Sequence, residues 1–128
     1  MSNELFTDVV TLFNHYDSGW IKTILKNVQW TEKQEKNSND DGIFYISKYV
    51  DVTIPYVDGY IESQKYKGKG FTFGLNNLDF IVYDEIPEDI TDSKSLQELK
   101  SKYNVYTIYG FSDNTYRKHL KHWRVIAK

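Results

Sequence analysis

The sequence contains no cysteine and only two prolines and one methionine among its 128 residues. Without cysteine, the chain has no disulfides, no thiolate metal ligands and no cysteine nucleophile. Apolar runs are also short, and none approaches the roughly 20 residues of a membrane-spanning helix. The polar start, Met1–Glu4, lacks the basic and apolar regions of a signal peptide. We therefore expect neither a membrane segment nor a secretion signal.

Neither sign of charge is in large excess, because 16 basic and 18 acidic side chains leave a net charge of −2. This balance argues against nucleic-acid binding over the whole surface. The charges are nevertheless segregated, since Asp79–Glu98 has seven acidic residues and one lysine, whereas Asp113–Lys128 has five basic residues and one aspartate. Such segments form either two solvated faces or complementary faces between subunits. Under the second interpretation, the candidate interface residues are Asp84, Glu85, Glu88, Asp89, Arg117, Lys118, Lys121 and Arg124.

Aromatic and β-branched residues are abundant and cluster in runs typical of β-strands. The runs are Val9–Phe13, Trp20–Trp30, Ile43–Tyr56, Asp79–Tyr83, Val105–Tyr109 and Trp123–Ala127. Alternation with polar residues places two sets on core-facing sides, namely Val50, Val52 and Ile54 in one strand and Trp123, Val125 and Ala127 in another. Turns are predicted at residues 14–19 and 112–114. A bulge is predicted at Ile24–Leu25, where the alternation of the second run breaks.

One helix is predicted, over about residues 93–103. Leu96, Leu99 and Tyr103 have the spacing that places them on one helix face. The candidate capping residues are Asp92 or Ser93 and, one turn later, the pair Ser95 and Glu98. The sequence therefore predicts a mainly β fold, a small β-barrel or sandwich with one short α-helix. We expect a single domain over residues 1–128, with residues 1–8 flexible.

A polar segment of twelve residues lies between two of the predicted strands and contains no apolar side chain. Because it has nothing to bury in a core, we expect a long polar loop or a protruding hairpin arm. Loops of this length inside compact domains are uncommon and are usually functional or disordered. The segment comprises Thr31, Glu32, Lys33, Gln34, Glu35, Lys36, Asn37, Ser38, Asn39, Asp40, Asp41 and Gly42.

The residue types that carry catalysis do not form a recognisable motif. His119 and His122 are three apart, which places them on opposite faces of a strand rather than on one metal site. The carboxylates of residues 84–92 lie in a polar linker, without the apolar surroundings that a general acid requires. No serine lies in a nucleophile-elbow motif. We therefore predict a protein that is not an enzyme and that has no cofactor and no metal site.

A nucleic-acid-binding module remains an alternative for the basic C-terminal segment. Arg117, Lys118, Lys121 and Arg124 are interleaved with aromatic residues such as Tyr116 and Trp123, a pattern that can follow a phosphate backbone and stack on bases. The net acidic charge of the chain weighs against this role. In addition, if the segment is a strand, half of these side chains point toward the core rather than toward solvent.

Several short motifs carry a resemblance to a known class of proteins. They are Thr11-Leu12-Phe13-Asn14 with Tyr16-Asp17, Val28-Gln29-Trp30, Leu78-Asp79-Phe80-Ile81-Val82, Leu96-x-x-Leu99, and the closing phrases Ser112-Asp113-Asn114-Thr115-Tyr116-Arg117 and His122-Trp123-Arg124-Val125. In this order, the motifs resemble small structural proteins that tailed bacteriophages and prophages encode among their head and neck genes. We associate that class with head-closure (stopper) or connector components.

The resemblance implies a small β-barrel that forms a ring of six or twelve copies in the neck of the virion. Such a ring lies between the portal or connector protein and the tail proteins, closes the head and retains the packaged DNA. It is assembled in the cytoplasm of the bacterial host. The segment Thr31–Gly42 is the candidate for the loop that reaches the lumen. A tail-completion or tail-terminator ring is the alternative within the same particle.

Overall fold

The computed structural model describes residues 7–38, 42, 44–76, 78–115 and 121–128, with the backbone alone for residues 35–38 and 44–47. The described residues form six strands and one helix, which are β1 (Asp8–Tyr16), β2 (Gly19–Ser38), β3 (Phe44–Pro55), β4 (Phe80–Tyr83), α1 (Ser93–Lys102), β5 (Val105–Asp113) and β6 (His122–Ala127). The strands are antiparallel and close into a barrel in the order β1-β2-β3-β6-β5-β4. The predicted mainly β fold with one short helix is confirmed, as a barrel.

The first hairpin turns on two residues. Tyr16 pairs with Gly19 across Asp17 and Ser18, whose φ angles are 51° and 68°. Positive φ at both central residues is the mark of the turn whose twist matches that of the flanking strands. The predicted turn over residues 14–19 was therefore too long. Residues 14–16 continue β1, because two residues suffice to reverse the chain.

Strand β2 serves both halves of the barrel, because it pairs with β1 up to Val28 and with β3 from Gln29 onward. Val9 opposes Lys26 while Asp8 opposes Val28, so Asn27 is an extra residue with a φ of 59°. This is a β-bulge, and bulged strands bend. The prediction of a bulge at Ile24–Leu25 was wrong in position. Asparagine accepts the left-handed conformation more readily than β-branched or bulky residues do.

The barrel interior is filled by apolar side chains from all six strands and from the connector between β3 and β4. The two predicted core-facing sets are confirmed, since Val52, Val125 and Ala127 are fully buried and Trp123 is 1% exposed. The buried members are Val10, Leu12, Leu25, Val28, Val50, Val52, Ile54, Phe71, Phe73, Ile81, Ile108, Trp123, Val125 and Ala127. Both sets alternate with less buried residues, as expected for strands with one face on the core.

The connector, residues 56–79, closes the barrel end at which β3 stops. Its rings Tyr60, Phe71 and Phe73 pack on Trp123, with centroid distances of 5.0, 5.8 and 5.7 Å. Phe111 of β5 adds a ring 5.4 Å from Phe73. This aromatic cluster plugs one end of the barrel with side chains that are far apart in sequence.

Helix α1 lies outside the barrel and covers a second apolar cluster. Leu99 is buried, and Leu96 and Tyr103 pack against the same cluster, so the predicted helix face is confirmed. The Asp92 side chain accepts from the Ser95 amide, and the Ser95 hydroxyl accepts from the Asp92 amide. This reciprocal pair replaces the predicted Ser95–Glu98 capping box, since the helix already starts at residue 93. The other buried members are Phe13, Phe80, Val82, Ile86 and Ile90.

Most of the polar segment is strand. Residues 31–38 continue β2 and pair with β3 from Asp51 to Phe44, so the expectation of a loop was wrong there and that of a hairpin arm is confirmed. Strand pairing satisfies backbone hydrogen bonds whatever the side chains are, and this explains a strand without apolar residues. We call the paired ranges 33–38 and 44–49 the arm. Among the described strands, β6 pairs with β3 only from Val50 onward, so the arm extends beyond the barrel wall.

Some predictions fall on residues outside the described ranges. They concern residues 1–6 of the segment expected to be flexible, Asn39–Asp41 of the polar segment, and Arg117, Lys118 and His119 near the C-terminus. The predicted turn at residues 112–114 begins later than expected, because β5 runs to Asp113. Within the described ranges, the chain has no helix of the length and apolar character required to span a membrane.

Candidate functional site

Three strands are tied together by ion pairs at the base of the arm. Arg124 of β6 donates from Nε to both carboxylate oxygens of Asp51 in β3, at 3.0 and 2.9 Å, and its Nη2 also bonds the Oδ2 atom. Lys33 of β2 brings its Nζ to 3.2 Å from the same Oδ2. The Asp51 side chain is buried, whereas both cations are partly exposed. The base of the arm is thus anchored by one carboxylate that holds β2 and β6 against β3.

Two opposing effects determine the pKa of Asp51, namely its burial and its two positively charged partners. Burial of the carboxyl alone raises its pKa, but the hydrogen bonds and positive charges of Arg124 and Lys33 outweigh burial. The pKa therefore lies below the ordinary value of an aspartate. Because the folded-state pKa is lowered, the cluster stabilises the fold above the unfolded-state pKa of about 4. That contribution is lost as the pH falls through the folded-state pKa.

Replacing Arg124 by methionine is expected to lower the free energy of unfolding by about 1–3 kcal/mol at neutral pH, because Asp51 keeps its charge and loses its main donor. The difference from wild type should shrink as the pH falls below about 4 and the carboxyl becomes protonated. Denaturant unfolding at several pH values measures both effects. The exposed Lys121, changed to methionine, is the matched control. A loss that is the same at every pH would contradict the role of Asp51.

The predicted acidic interface residues lie along a segment that the barrel itself holds. Lys22 of β2 donates to the Pro87 carbonyl at 3.1 Å and lies 3.3 Å from Asp89 Oδ1. Glu88 accepts from Lys102 Nζ at 2.9 Å. Two of the four predicted carboxylates therefore form ion pairs with lysines within the chain. The other two, Asp84 and Glu85, are exposed, and Asp84 accepts from the Glu85 amide at 2.8 Å.

Of the two predicted basic interface residues that the structure describes, one is paired and the other is exposed. Arg124 is engaged by Asp51, whereas Lys121 is exposed just before β6. The structure thus brings Arg124 together with Asp51 rather than with the acidic segment at residues 84–89. The sequence placed Asp51 on the polar side of its strand, but only the β3–β6 register reveals its partner. This pairing was missed.

A buried polar network fastens the connector to β1. The carboxylate of Asp79 accepts from Asn14 Nδ2 at 2.9 Å, from the His15 amide at 3.0 Å and from the Gly74 amide at 2.9 Å. Asn14 also donates to the Thr72 carbonyl at 2.6 Å and accepts from the Thr72 amide at 3.2 Å. A Cβ at Gly74 would lie 2.5 Å from Asp79 Oδ2, so glycine allows this approach. Sequence reasoning missed the network because residue 14 was assigned to a turn.

The barrel end nearest the arm is lined by aromatic rings, and we call it the mouth. Trp30 of β2 packs edge-to-face with Tyr83 of β4 and with Tyr106 of β5, at centroid distances of 5.3 Å in both cases. Asp8 accepts from the Tyr83 hydroxyl at 2.9 Å and from the Trp30 amide at 3.0 Å. A cavity of about 210 Å³ opens between these rings. The mouth is a preformed concave site with a fixed aromatic wall.

A larger and more open groove, of about 640 Å³, lies between residues 21–27 of β2 and the connector. Its ionisable lining residues are Lys22, Lys26 and Asp58, and it holds no histidine. Within the described ranges, no three His, Asp or Glu side chains are grouped as metal ligands would be.

The sequence resembles one known protein family over almost its whole length. The sequence profile of a family of unknown function, DUF6751, matches residues 5–128. The chain belongs to this family. No match was found among curated proteins or among solved structures. The match to DUF6751 spans the arm, the Asp79 network and the mouth, so all three lie in the region that defines the family.

Proposed function

We propose that this DUF6751 chain is a structural protein of a phage virion, located in the neck. In this proposal it forms a ring between the portal or connector protein and the tail proteins, closes the head and retains the packaged DNA. The observation that carries the proposal is the arm, a polar two-stranded ribbon that leaves a closed barrel. The resemblance of the sequence motifs to phage head and neck proteins supplies the context in which such an arm has a role.

The arm suits contact with a neighbour rather than a place in the core. Among the described strands, β2 and β3 pair with each other along the arm, and no third strand flanks it. Exposed strand edges present unpaired backbone donors and acceptors, which another chain can use. The polar composition of residues 31–42 also allows the arm to stay hydrated in a water-filled lumen.

The barrel suits a ring subunit because its core does not depend on the arm. The interior cluster draws on β3 only from Val50 onward and on β2 only up to Val28, with Trp30 packed against its edge. A subunit of this kind can change its arm contacts while the barrel stays folded. Head-to-tail contacts between two different patches close into rings when the rotation per subunit allows it. Exposed Asp84 and Glu85 on one segment and Lys121 on another are candidates for those patches.

Shortening the arm tests the proposal. Replacing residues 36–46 by Asn-Gly joins Glu35 to Ser47, which already oppose each other, through a two-residue hairpin turn. The free energy of unfolding should change by less than about 1 kcal/mol, because an isolated two-stranded ribbon is only marginally stable. Denaturant unfolding measures this effect, and a larger loss would show that the arm stabilises the barrel.

The same variant, placed in the parent phage or prophage, should yield heads that leak DNA beside separate finished tails. Electron microscopy of the particles measures this outcome. Replacing only residues 39–42, which lie between β2 and β3 in the sequence, by a polar sequence of equal length is the matched control for arm length. Filled heads with tails of abnormal length would indicate a tail-completion ring instead. Normal infectious particles would contradict a place in the virion neck.

A further inference from the structure

The mouth has features that the proposed ring does not use. Its cavity is lined by Trp30, Glu32, Val82, Tyr83, Tyr103, Asn104 and Tyr106. Four of these seven residues are aromatic, and none is basic. With a volume of about 210 Å³, the cavity is smaller than the roughly 300–1,000 Å³ of sites for drug-sized ligands. A single small head group therefore matches its size.

The aromatic walls are held in place rather than loosely packed. Trp30 meets Tyr83 at an interplanar angle of 70° and Tyr106 at 69°, so three rings border the cavity in different planes. Asp8 fixes two of these walls, because one carboxylate oxygen bonds the Tyr83 hydroxyl and the other bonds the Trp30 amide. A site whose walls are fixed before binding loses little conformational entropy when the ligand arrives.

The electrostatic surroundings of the mouth are negative. The hydrogen bond to Asp8, followed by the charges of Asp8 and Asp84, raises the pKa of Tyr83. Burial, followed by the charge of Glu32, raises the pKa of Tyr106. Both phenols thus experience carboxylates rather than cations.

One lysine beside the mouth is already paired with a carboxylate. Lys102 Nζ lies 5.5 Å from the ring centroid of Tyr103, and the same nitrogen is 2.9 Å from Glu88 Oε1. Lys102 is not part of the cavity lining. The mouth therefore combines electron-rich ring faces and carboxylates without a positive charge of its own.

We propose that the mouth binds an organic cation, an alkylammonium or a guanidinium group. Aromatic faces attract such cations through the ring quadrupole, and desolvated sites strengthen the attraction. The exposed Glu32 at the rim adds a charge that an uncharged ligand of the same shape cannot use. The cation belongs either to a free small molecule or to a lysine or arginine side chain of another protein. This binding does not depend on a role in the virion neck.

Nuclear magnetic resonance of the isolated full-length protein tests the proposal. The indole N–H signal of Trp30, assigned by its loss in Trp30→Phe, is followed during titration with choline chloride against sodium chloride of equal concentration. We expect saturable shifts at millimolar concentration. The uncharged isostere 3,3-dimethylbutan-1-ol should bind at least about fivefold more weakly, as a cation–aromatic contribution of about 1 kcal/mol implies.

Two variants and one control locate the binding. Tyr83→Leu removes a wall and should weaken choline binding about fivefold, and Glu32→Gln should weaken it about threefold while leaving the isostere unchanged. Tyr109→Leu is the matched control, because Tyr109 is 45% exposed and Tyr83 is 46% exposed, and Tyr109 is outside the cavity lining. Equal binding of choline and the isostere would overturn the proposal, and so would the absence of a shift with choline and with both amino-acid ligands described below. If Tyr83→Leu does not fold, the effect of Glu32→Gln on choline binding still tests the proposal.

A second pair of ligands distinguishes the source of the cation. Nα-acetyl-lysine methylamide and Nα-acetyl-arginine methylamide present the side chains as a protein would. Tighter binding of either than of choline would assign the mouth to a side chain of a partner protein. Tighter binding of choline would assign it to a free quaternary ammonium ligand. Either result supports recognition of an organic cation, and binding of none of the three contradicts it.

Discussion

Replacing Trp123 by alanine is expected to lower the free energy of unfolding by about 3–5 kcal/mol, because the change leaves a large cavity in the barrel. The indole is 1% exposed and packs on Tyr60, Phe71 and Phe73. The indole joins β6 to the connector. Its loss therefore weakens the packing of the aromatic cluster that closes one barrel end, as well as the packing of β6 in the barrel. Denaturant unfolding with circular dichroism measures the loss.

Two further variants define the origin of that loss. Trp123→Phe should cost less than half as much, because the indole Nε1 has no hydrogen-bond partner in the described part of the chain and its removal relieves a desolvation cost. Leu75→Ala is the surface control, since Leu75 is 57% exposed, and it should stay within about 0.5 kcal/mol of wild type. An effect of Trp123→Ala below about 1 kcal/mol would contradict a core role and place the ring at an interface.

Replacing Asp79 by alanine is the second change with a large expected effect, about 3–5 kcal/mol. The carboxylate is 1% exposed and accepts from Asn14, His15 and Gly74. Its removal leaves buried donors without their acceptor, and each such donor costs about 1–3 kcal/mol. We also expect the connector to loosen from β1, which hydrogen exchange at the Gly74 and Thr72 amides measures.

The control for Asp79 lies on the same connector. Asp58 is exposed, and Asp58→Ala should stay within about 0.5 kcal/mol of wild type. Asp79→Asn should fall between the two, because the amide keeps one acceptor oxygen but turns a donor toward another donor. If Asp79→Ala unfolded at the same denaturant concentration as Asp58→Ala, the network would not hold the connector.

The sequence alone determined the parts of this fold that depend on local pattern. The strand faces of β3 and β6, with Val52 and Val125 inward, follow from an alternation of period two. The helix and its buried Leu99 follow from a period of 3.6. Composition likewise indicated a mainly β chain with a polar segment outside its core, left open as a loop or a hairpin arm. These features depend only on residues that are close in the sequence. They can therefore be predicted without knowing which strands pair.

Only the tertiary structure showed which strands pair and which side chains come together between them. Asp51 finds Arg124 at a separation of 73 residues, and Asp79 finds Asn14 at 65. The mouth likewise joins β2, β4 and β5. Such contacts depend on register, and register depends on single bulges such as the one at Asn27. A shift of one residue reverses which side chains face inward, and this explains why the candidate sites emerged from the closed barrel rather than from the sequence.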